Sequence, residues 1–427
     1  MTGTLATLPD GWKITRLDRI ATVNARIGWK ALTAAEYQDE GYAFLATPNI
    51  KGRDIDFDNV NYISEFRYNE SPELRLKVDD VLLAKDGNTL GIANIVERLP
   101  QPATVNGSIA VLRSFGMHPR FLRYVIASDF IQGHIGAVKD GMGVPHLFQW
   151  DIKRFALPEP PIEEQRRIAD FLDTETARID ALLDARRRQI ALVAELWESR
   201  LAAEIERLIS IHGLILLGRL VRSVEQGWSP RCEEILANSD EWAVLKTSAV
   251  SSGVFRPLEH KKLPVDVQPD VRYEILDGDL LMTRGSGSSE HVGVATVACP
   301  EGRNLLLSDL LYRVRMDREW MPEFTALTLR SRPVRGYMSL LFRGQSGQTI
   351  KLRAQDVKGI QVPNVPPAEQ FPLITALTAE ERSAGRARAA IERSSALLAE
   401  RRQALITAAV TGQLDVTTAR PAHDHGL

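Results

Sequence analysis

The segment PEPPIEEQ, Pro158–Gln165, returns 205 residues later as PNVPPAEQ, Pro363–Gln370, with Pro158, Pro161, Glu164 and Gln165 falling over Pro363, Pro366, Glu369 and Gln370. Other matches precede it in the same order. DDVLLAKDG (Asp79–Gly87) finds GDLLMTRGS (Gly278–Ser286), with Asp80 over Asp279, and Gly28-Trp29 finds Gly227-Trp228. PRFLRYVI (Pro119–Ile126) finds PEFTALTL (Pro322–Leu329), and Asp151-Ile-Lys153 finds Asp356-Val-Lys358. A repeat on this scale overrides any reading of single elements. The chain is two copies of one unit, each a globular part followed by a long helix.

Each globular part is mixed. Short β-rich runs come first, YAFLA, DVLLA, IANIV and SIAVLR in one copy, WAVLK, DLLMT, VGVATVA and LLYRVRM in the other, separated by Gly, Asn, Asp and Ser. Helical stretches follow near 119–131 and 322–330, each opened by a proline suited to a first helical turn. The expected class is α+β: two tandem mixed α/β domains joined by two long antiparallel helices that form a coiled-coil spacer. The expected division is 1–157, helix 158–212, 213–362, helix 363–416 and a flexible tail 417–427. Glu163 and Glu164 suit the positive start of the first helix, and Gly213 and Gly412 lie where the two helices should stop.

A 4-3 spacing fits both helices. The first has Ile168, Leu172, Glu175, Ile179, Leu182, Arg186, Gln189, Val193 and Leu196 in register. Leu373, Leu377, Glu380, Ala384, Ala387, Ile391, Ser394, Leu398, Arg401 and Leu405 carry it in the second. Such stripes need a partner, and each helix is the nearest partner of the other. At ~1.5 Å per residue, helices of about 45–50 residues make a rod of about 70 Å, expected to act as a ruler.

Composition narrows the function by exclusion. The net charge is −2, and residues 1–157 carry 18 basic and 18 acidic side chains, so any DNA-binding surface is a local patch. Two cysteines, Cys232 and Cys299, cannot build a disulfide framework or a four-thiolate metal site. No apolar run is long enough to cross a membrane and the start lacks a signal-peptide pattern, so the expected location is cytoplasmic. No phosphate-binding GxxxxGK[ST] loop, adenine-methyltransferase [DN]PP[YFW] motif or His/Cys/Asp metal spacing occurs. Asp151-x-Lys153 and Asp356-x-Lys358 lead into helices without a paired upstream carboxylate and are read as structural.

Taken together, the two PxxP…EQ helix starts, the lead-in GVPHLFQWDIKRFALPEPP (Gly143–Pro161) and the closing LITAAVTGQLDV (Leu405–Val416) resemble the specificity subunit of a Type I restriction–modification enzyme. The second lead-in, GQTIKLRAQDVKGIQVPNVPP (Gly347–Pro367), departs from the first and lacks its histidine, His146. The resemblance implies a non-catalytic chain whose two recognition domains each read half of a bipartite double-stranded DNA site. The helices would set the gap and dock two methyltransferase subunits, with restriction/translocase subunits joining for cleavage. S-adenosylmethionine, ATP and Mg would be held by those partners, with no cofactor, metal or catalytic residue on this chain and no membrane partner. The rival reading is a coiled-coil scaffold that joins two protein partners and ignores DNA.

Phosphate contacts call for Lys, Arg and small hydroxyls, and base edges for Arg, Lys, Asn, Gln and Ser at loop tips. LLAKDGNTLG offers Lys85, Asp86 and Asn88 after a strand, and LMTRGSGSSE offers Arg284, Ser286 and Ser288 at the matching place, with Lys85 over Arg284. ATPNIKGRD adds Asn49, Lys51 and Arg53, and LKTSAVSSG adds Lys246 and Ser248. No acid occurs from Phe324 to Gln355. Arg330, Arg332 and Arg335 in that stretch fit a solvated helix face as well as DNA, whereas Arg343, Gln345, Gln348, Lys351 and Arg353 favour DNA.

Overall fold

The computed structural model describes residues 8–26, 32–138, 145–343 and 349–416. They fall into two compact units, one running to Arg187 and resuming at Arg393, the other spanning Arg188–Glu392. Gln345 and Gln348, and Gly28-Trp29 of the repeat, lie outside the described residues.

In the first unit β1 (Lys13–Arg16) pairs with β9 (Ala156–Glu159). Between them β2 (Ala21–Ala25), β8 (Ile109–Ser114), β5 (Val81–Ala84) and β6 (Ala93–Ile95) form a four-stranded antiparallel sheet in that order. A three-stranded sheet sets β3 (Tyr42–Leu45) between antiparallel β4 (Asn61–Ile63) and parallel β7 (Ala103–Val105). Alternation along the central strands explains the layering. Val81 and Leu83 of β5, with Ala110 and Leu112 of β8, face the core beneath helices Pro119–Ala127 and Asp129–Val138. Leu82, Ala84, Ile109 and Val111 face the other way, into a second core against the three-stranded sheet. A strand buried on both faces reads as a continuous apolar run rather than an alternating one, which is why VLLA and IAVL stand out in the sequence.

The second unit repeats this frame. β10 (Leu214–Leu216) pairs with β20 (Gln361–Pro363), and β11 (Val221–Gln226), β18 (Leu311–Met316), β14 (Leu280–Thr283) and β16 (Ala295–Val297) form the four-stranded sheet. β12 (Trp242–Leu245) again lies between an antiparallel β13 (His260–Lys262) and a parallel β17 (Asn304–Leu306). Helices Pro322–Arg330 and Arg332–Ser339 cover it. One ribbon is added, β15 (Gly285–Ser286) with β19 (Ile350–Lys351). All eight β-rich runs read from the sequence are strands, in four sheets, two per unit, whose strand orders match between the units.

The first long helix runs Ile162–His212 and the second Pro367–Val410. Gly213 and Gly412 follow them at φ +68° and +75°, the left-handed region that stops a helix at little cost only for glycine. Each compact unit holds the start of one long helix and the end of the other, lying side by side in opposite directions. Arg402 reaches Asp180 at 2.8 Å in the first unit, and Arg200 reaches Glu380 at 3.2 Å in the second.

The recurring Glu-Gln has a shared structural cause. Gln165 is buried, its Oε1 accepts from the His118 amide at 2.7 Å, and its Nε2 donates to the Pro160 carbonyl at 2.8 Å. Gln370, also buried, accepts from the Met321 amide and donates to the Val365 carbonyl, both at 3.0 Å. Each glutamine ties a long helix to the residue preceding the proline-led helix of its unit. Replacing Gln165 or Gln370 by Ala leaves a part-buried amide donor and a buried carbonyl without this partner. The expected loss is about 1–3 kcal/mol for each unsatisfied group. A shift of the denaturant midpoint with unchanged slope checks it; an unshifted midpoint contradicts it.

The helical seam departs from the sequence expectation. Ile168, Leu172 and Ile179 are buried, but Leu182 and Leu196 are 45% and 68% exposed. Toward the end of the second helix, half-buried Leu405 yields to Ile406, Ala409 and Val410, which enter the first unit's core. Near their ends the helices pack on a globular layer as well as on each other. That demands a wider apolar face than the two positions per heptad of a coiled-coil seam.

Candidate nucleic-acid interface

In the first unit, β5 delivers Lys85 to the rim of a cleft of about 620 Å³. Backbone bonds from Lys85 to Ser108 (2.8 Å), Leu147 to Lys85 (2.9 Å) and Gly87 to Pro145 (2.9 Å) hold three loops together there. The lining includes Arg26, Tyr37, Phe44, Asp86, Asn106, His146, Phe148 and Gln149. Lys85 is itself 8% exposed, and its ammonium lies 3.3 Å from Asp86, whose other oxygen meets His146 Nδ1. Asn88 is exposed on the following turn, Gly87–Thr89.

Arg26 was not singled out from the sequence. It is 6% exposed, with its guanidinium 5.7 Å over the Phe44 ring and two long bonds, both 3.4 Å, to the Val105 carbonyl and Ser71 Oγ. Its Nη2 is buried without a partner among the described residues, and burial lowers its pKa. A buried donor left open on a cleft wall is costly unless something completes it.

The remaining candidates of this unit sit elsewhere. Asn49 is buried, accepting from the Ala46 amide at 2.8 Å and donating to the Asn59 carbonyl at 2.9 Å, so its amide is used by the fold. Lys51 and Arg53 are exposed and line a separate cleft of about 400 Å³ with Arg123, Tyr124, Arg187 and Arg402. They do not join Lys85.

The second unit has a cleft of about 390 Å³ at the equivalent strand ends, lined by Ser229, Cys232, Lys246, Ser248, Lys261, Ser308 and Asp309. Ser308-Asp309 sit 202 positions beyond Asn106-Gly107, an alignment the sequence matches did not reach. The Arg284 amide bonds to the Leu310 carbonyl and the Leu352 amide to the Arg284 carbonyl, both at 2.8 Å, repeating the Lys85 geometry. Arg284 Nε lies 3.2 Å from the Tyr312 hydroxyl and Nη1 3.3 Å from the Asp309 carbonyl, leaving Nη2 without a partner among the described residues. Ser286 and Ser288 follow on the β15 turn. Paired β15 and β19 bring exposed Lys351 beside them, and Arg343 exchanges backbone bonds with Lys351 at 3.0 and 2.8 Å. Arg353 is exposed one step further on. Ser248 Oγ donates to Glu259 at 2.7 Å.

The other arginines of the acid-free stretch are taken up by the fold. Arg330 pairs with Glu381 at 2.9 Å, Arg332 clasps Glu195 and Glu198 at 2.7 and 2.6 Å, and Arg335 donates to the carbonyls of Ser289, Glu290 and Val292. Among the described residues there is no metal-ligating cluster and no helix long and apolar enough to cross a membrane. Burial pushes the Cys232 thiol above its usual pKa, the wrong direction for a nucleophile.

Residues 9–191 match the family described as Type I restriction modification DNA specificity domain. Over 380 residues, 85% of this chain and 80% of the relative, the chain is 23% identical to the Type I restriction enzyme EcoKI specificity subunit of Escherichia coli (strain K12). It is 21% identical over 383 residues to the StySPI specificity subunit of Salmonella potsdam, covering 86% and 81% of the two chains. A solved chain from work on complex assembly and conformational transition of the type I R-M system superposes with a TM-score of 0.70 at 18% identity. It covers 96% of this chain and 100% of the solved one, and at that identity it speaks for the fold. Type I restriction–modification specificity subunits are thus what this chain is similar to, over residues 9–191 by the family model and over most of its length by the two relatives.

Proposed function

We propose that each unit reads one half of a bipartite double-stranded DNA sequence, and that the two long helices set the gap and dock two methyltransferase subunits. Restriction/translocase subunits join that assembly in the cytoplasm. The chain itself is non-catalytic, and S-adenosylmethionine, ATP and Mg belong to its partners. One observation carries the reading: two units of the same topology place a cleft at the same strand ends and line it with different polar side chains. A common frame with exchanged rim residues is what reading two different sequences requires. The solved chain of similar fold comes from a study of type I R-M assembly, which supports partners of that kind.

The test is methylation mapping in a host that expresses this chain with its methyltransferase subunit. One bipartite motif, present only with this chain, is expected; no chain-dependent motif defeats the proposal. Arg284→Ala should weaken recognition of one half-site by about 1–3 kcal/mol, the range for a specific base contact, while the other half-site keeps its bases and the methyltransferase still co-purifies.

A further inference from the structure

The two units carry opposite chemistry at one equivalent place. In each, an extended segment bonds to the residue after the central strand, Leu147 to Lys85 at 2.9 Å and Leu352 to Arg284 at 2.8 Å. It then enters a five-residue helix, Gln149–Lys153 or Ala354–Lys358. At the offset of 205 that relates these segments, His146, Phe148 and Trp150 fall over Lys351, Arg353 and Gln355. The intervening Leu147 and Leu352 are buried in both units, whereas Phe148 and Trp150 of the first and Lys351, Arg353 and Gln355 of the second are exposed.

In the first unit His146, Phe148 and Trp150 form an aromatic ladder. The His146 ring meets Phe148 edge-on at 4.5 Å, Phe148 and Trp150 lie within 17° of parallel at 6.3 Å, and the Arg154 guanidinium sits 5.1 Å over Trp150. Phe148 is 42% and Trp150 55% exposed, beside a polar cleft of which Phe148 is a wall. In the second unit Lys351 and Arg353 are exposed, and neither has an ion-pair partner among the described residues. Exposed cations without partners suit phosphates. Exposed aromatics at the matching place suit the thymine methyl groups that bases present in the major groove.

Resting on the DNA-reading function above, we infer that the two half-sites are gripped by different chemistry. The Phe148–Trp150 ladder makes apolar contact with bases in the first half-site, and Lys351 and Arg353 neutralise phosphates in the second. The salt dependence of binding at these matched positions therefore belongs to the second unit.

The experiment measures affinity against salt for the full chain with its methyltransferase subunit, on a duplex carrying the mapped site. Lys351→Ala/Arg353→Ala should reduce the slope of log K against log salt by about 1.8, at about 0.9 per phosphate contact. Phe148→Ala/Trp150→Ala should weaken binding about tenfold or more at every salt concentration and leave that slope unchanged. Phe148→Tyr/Trp150→Phe should restore near wild-type affinity, which separates a lost ring contact from a damaged fold. The inference is overturned if the aromatic double variant binds like wild type, if its slope falls as the cation variant's does, or if it sheds the methyltransferase subunit instead, which would make the ladder a protein-docking surface. A wild-type complex that does not prefer the mapped duplex to a scrambled one defeats the DNA-reading function itself, a distinct result.

Discussion

A chain cut after His212 is expected to dimerise and to direct methylation to an inverted repeat of one half-site. Residues 1–212 cannot complete the first unit's core alone. Ile406, Ala409 and Val410, at the end of the second long helix, are at most 1% exposed and belong to the same cluster as Phe121, Leu122, Ile168 and Leu172. At roughly 1.5–3 kcal/mol for a buried Ile or Val side chain, losing Ile406 and Val410 removes about 3–6 kcal/mol, a large share of a typical domain's stability of about 5–15 kcal/mol.

The truncated chain carries a replacement. Leu201, Glu204 and Ile205 lie 205 positions before those residues and are buried in the second unit. Two of the three are apolar. The third, Glu204, stands where the first unit has an alanine, but it brings same-helix partners, Arg200 at 3.0 Å and Arg207 at 2.6 Å. A second copy can therefore supply the missing helix end in both directions, an isologous exchange. Light scattering at micromolar concentration should find a dimer, and Leu201→Ala/Ile205→Ala in the truncated chain should disperse it. A folded, stable monomer defeats this expectation.

Lengthening both long helices by seven residues should widen the gap between half-sites without changing either sequence read. Inserting after Arg186 and after Ile391 places the additions next to the divisions between the compact units, at Arg187/Arg188 and Glu392/Arg393. Seven residues preserve the heptad phase, whereas one residue would break it. Each helix grows by about 10 Å at ~1.5 Å per residue, equivalent to about three base pairs at ~3.4 Å each. With ~10–10.5 base pairs per turn, the half-sites also rotate by about a quarter turn, so weaker binding should accompany the longer gap. Methylation mapping reads both quantities. An active variant with the original gap, or one with altered half-site bases, ends the idea that the helices measure DNA.

The doubling, the eight β-rich runs, the proline-led helix starts and the glycine stops were all legible in the sequence. Each depends on short-range physics: a proline fixes φ, Gly213 and Gly412 accept a left-handed backbone, and a doubly buried strand such as Val81–Ala84 must be apolar throughout. Which polar side chains remain available was not legible. Arg330, Arg332 and Arg353 look alike in a stretch without acids, yet Arg332 is held by Glu195 and Glu198, more than a hundred residues away, and Arg330 by Glu381. Lys51 and Lys85, candidates from two separate motifs, line two different clefts. Arg26 gave no signal, because its burial depends on Phe44, Ser71 and Val105, contributed by other parts of the chain. Sequence by itself determined the repeated frame, since backbone preference and burial pattern are local. Only the tertiary structure decided which charges are spent within the fold and which face a cleft, because a charge's partner is chosen by distance in space rather than along the chain.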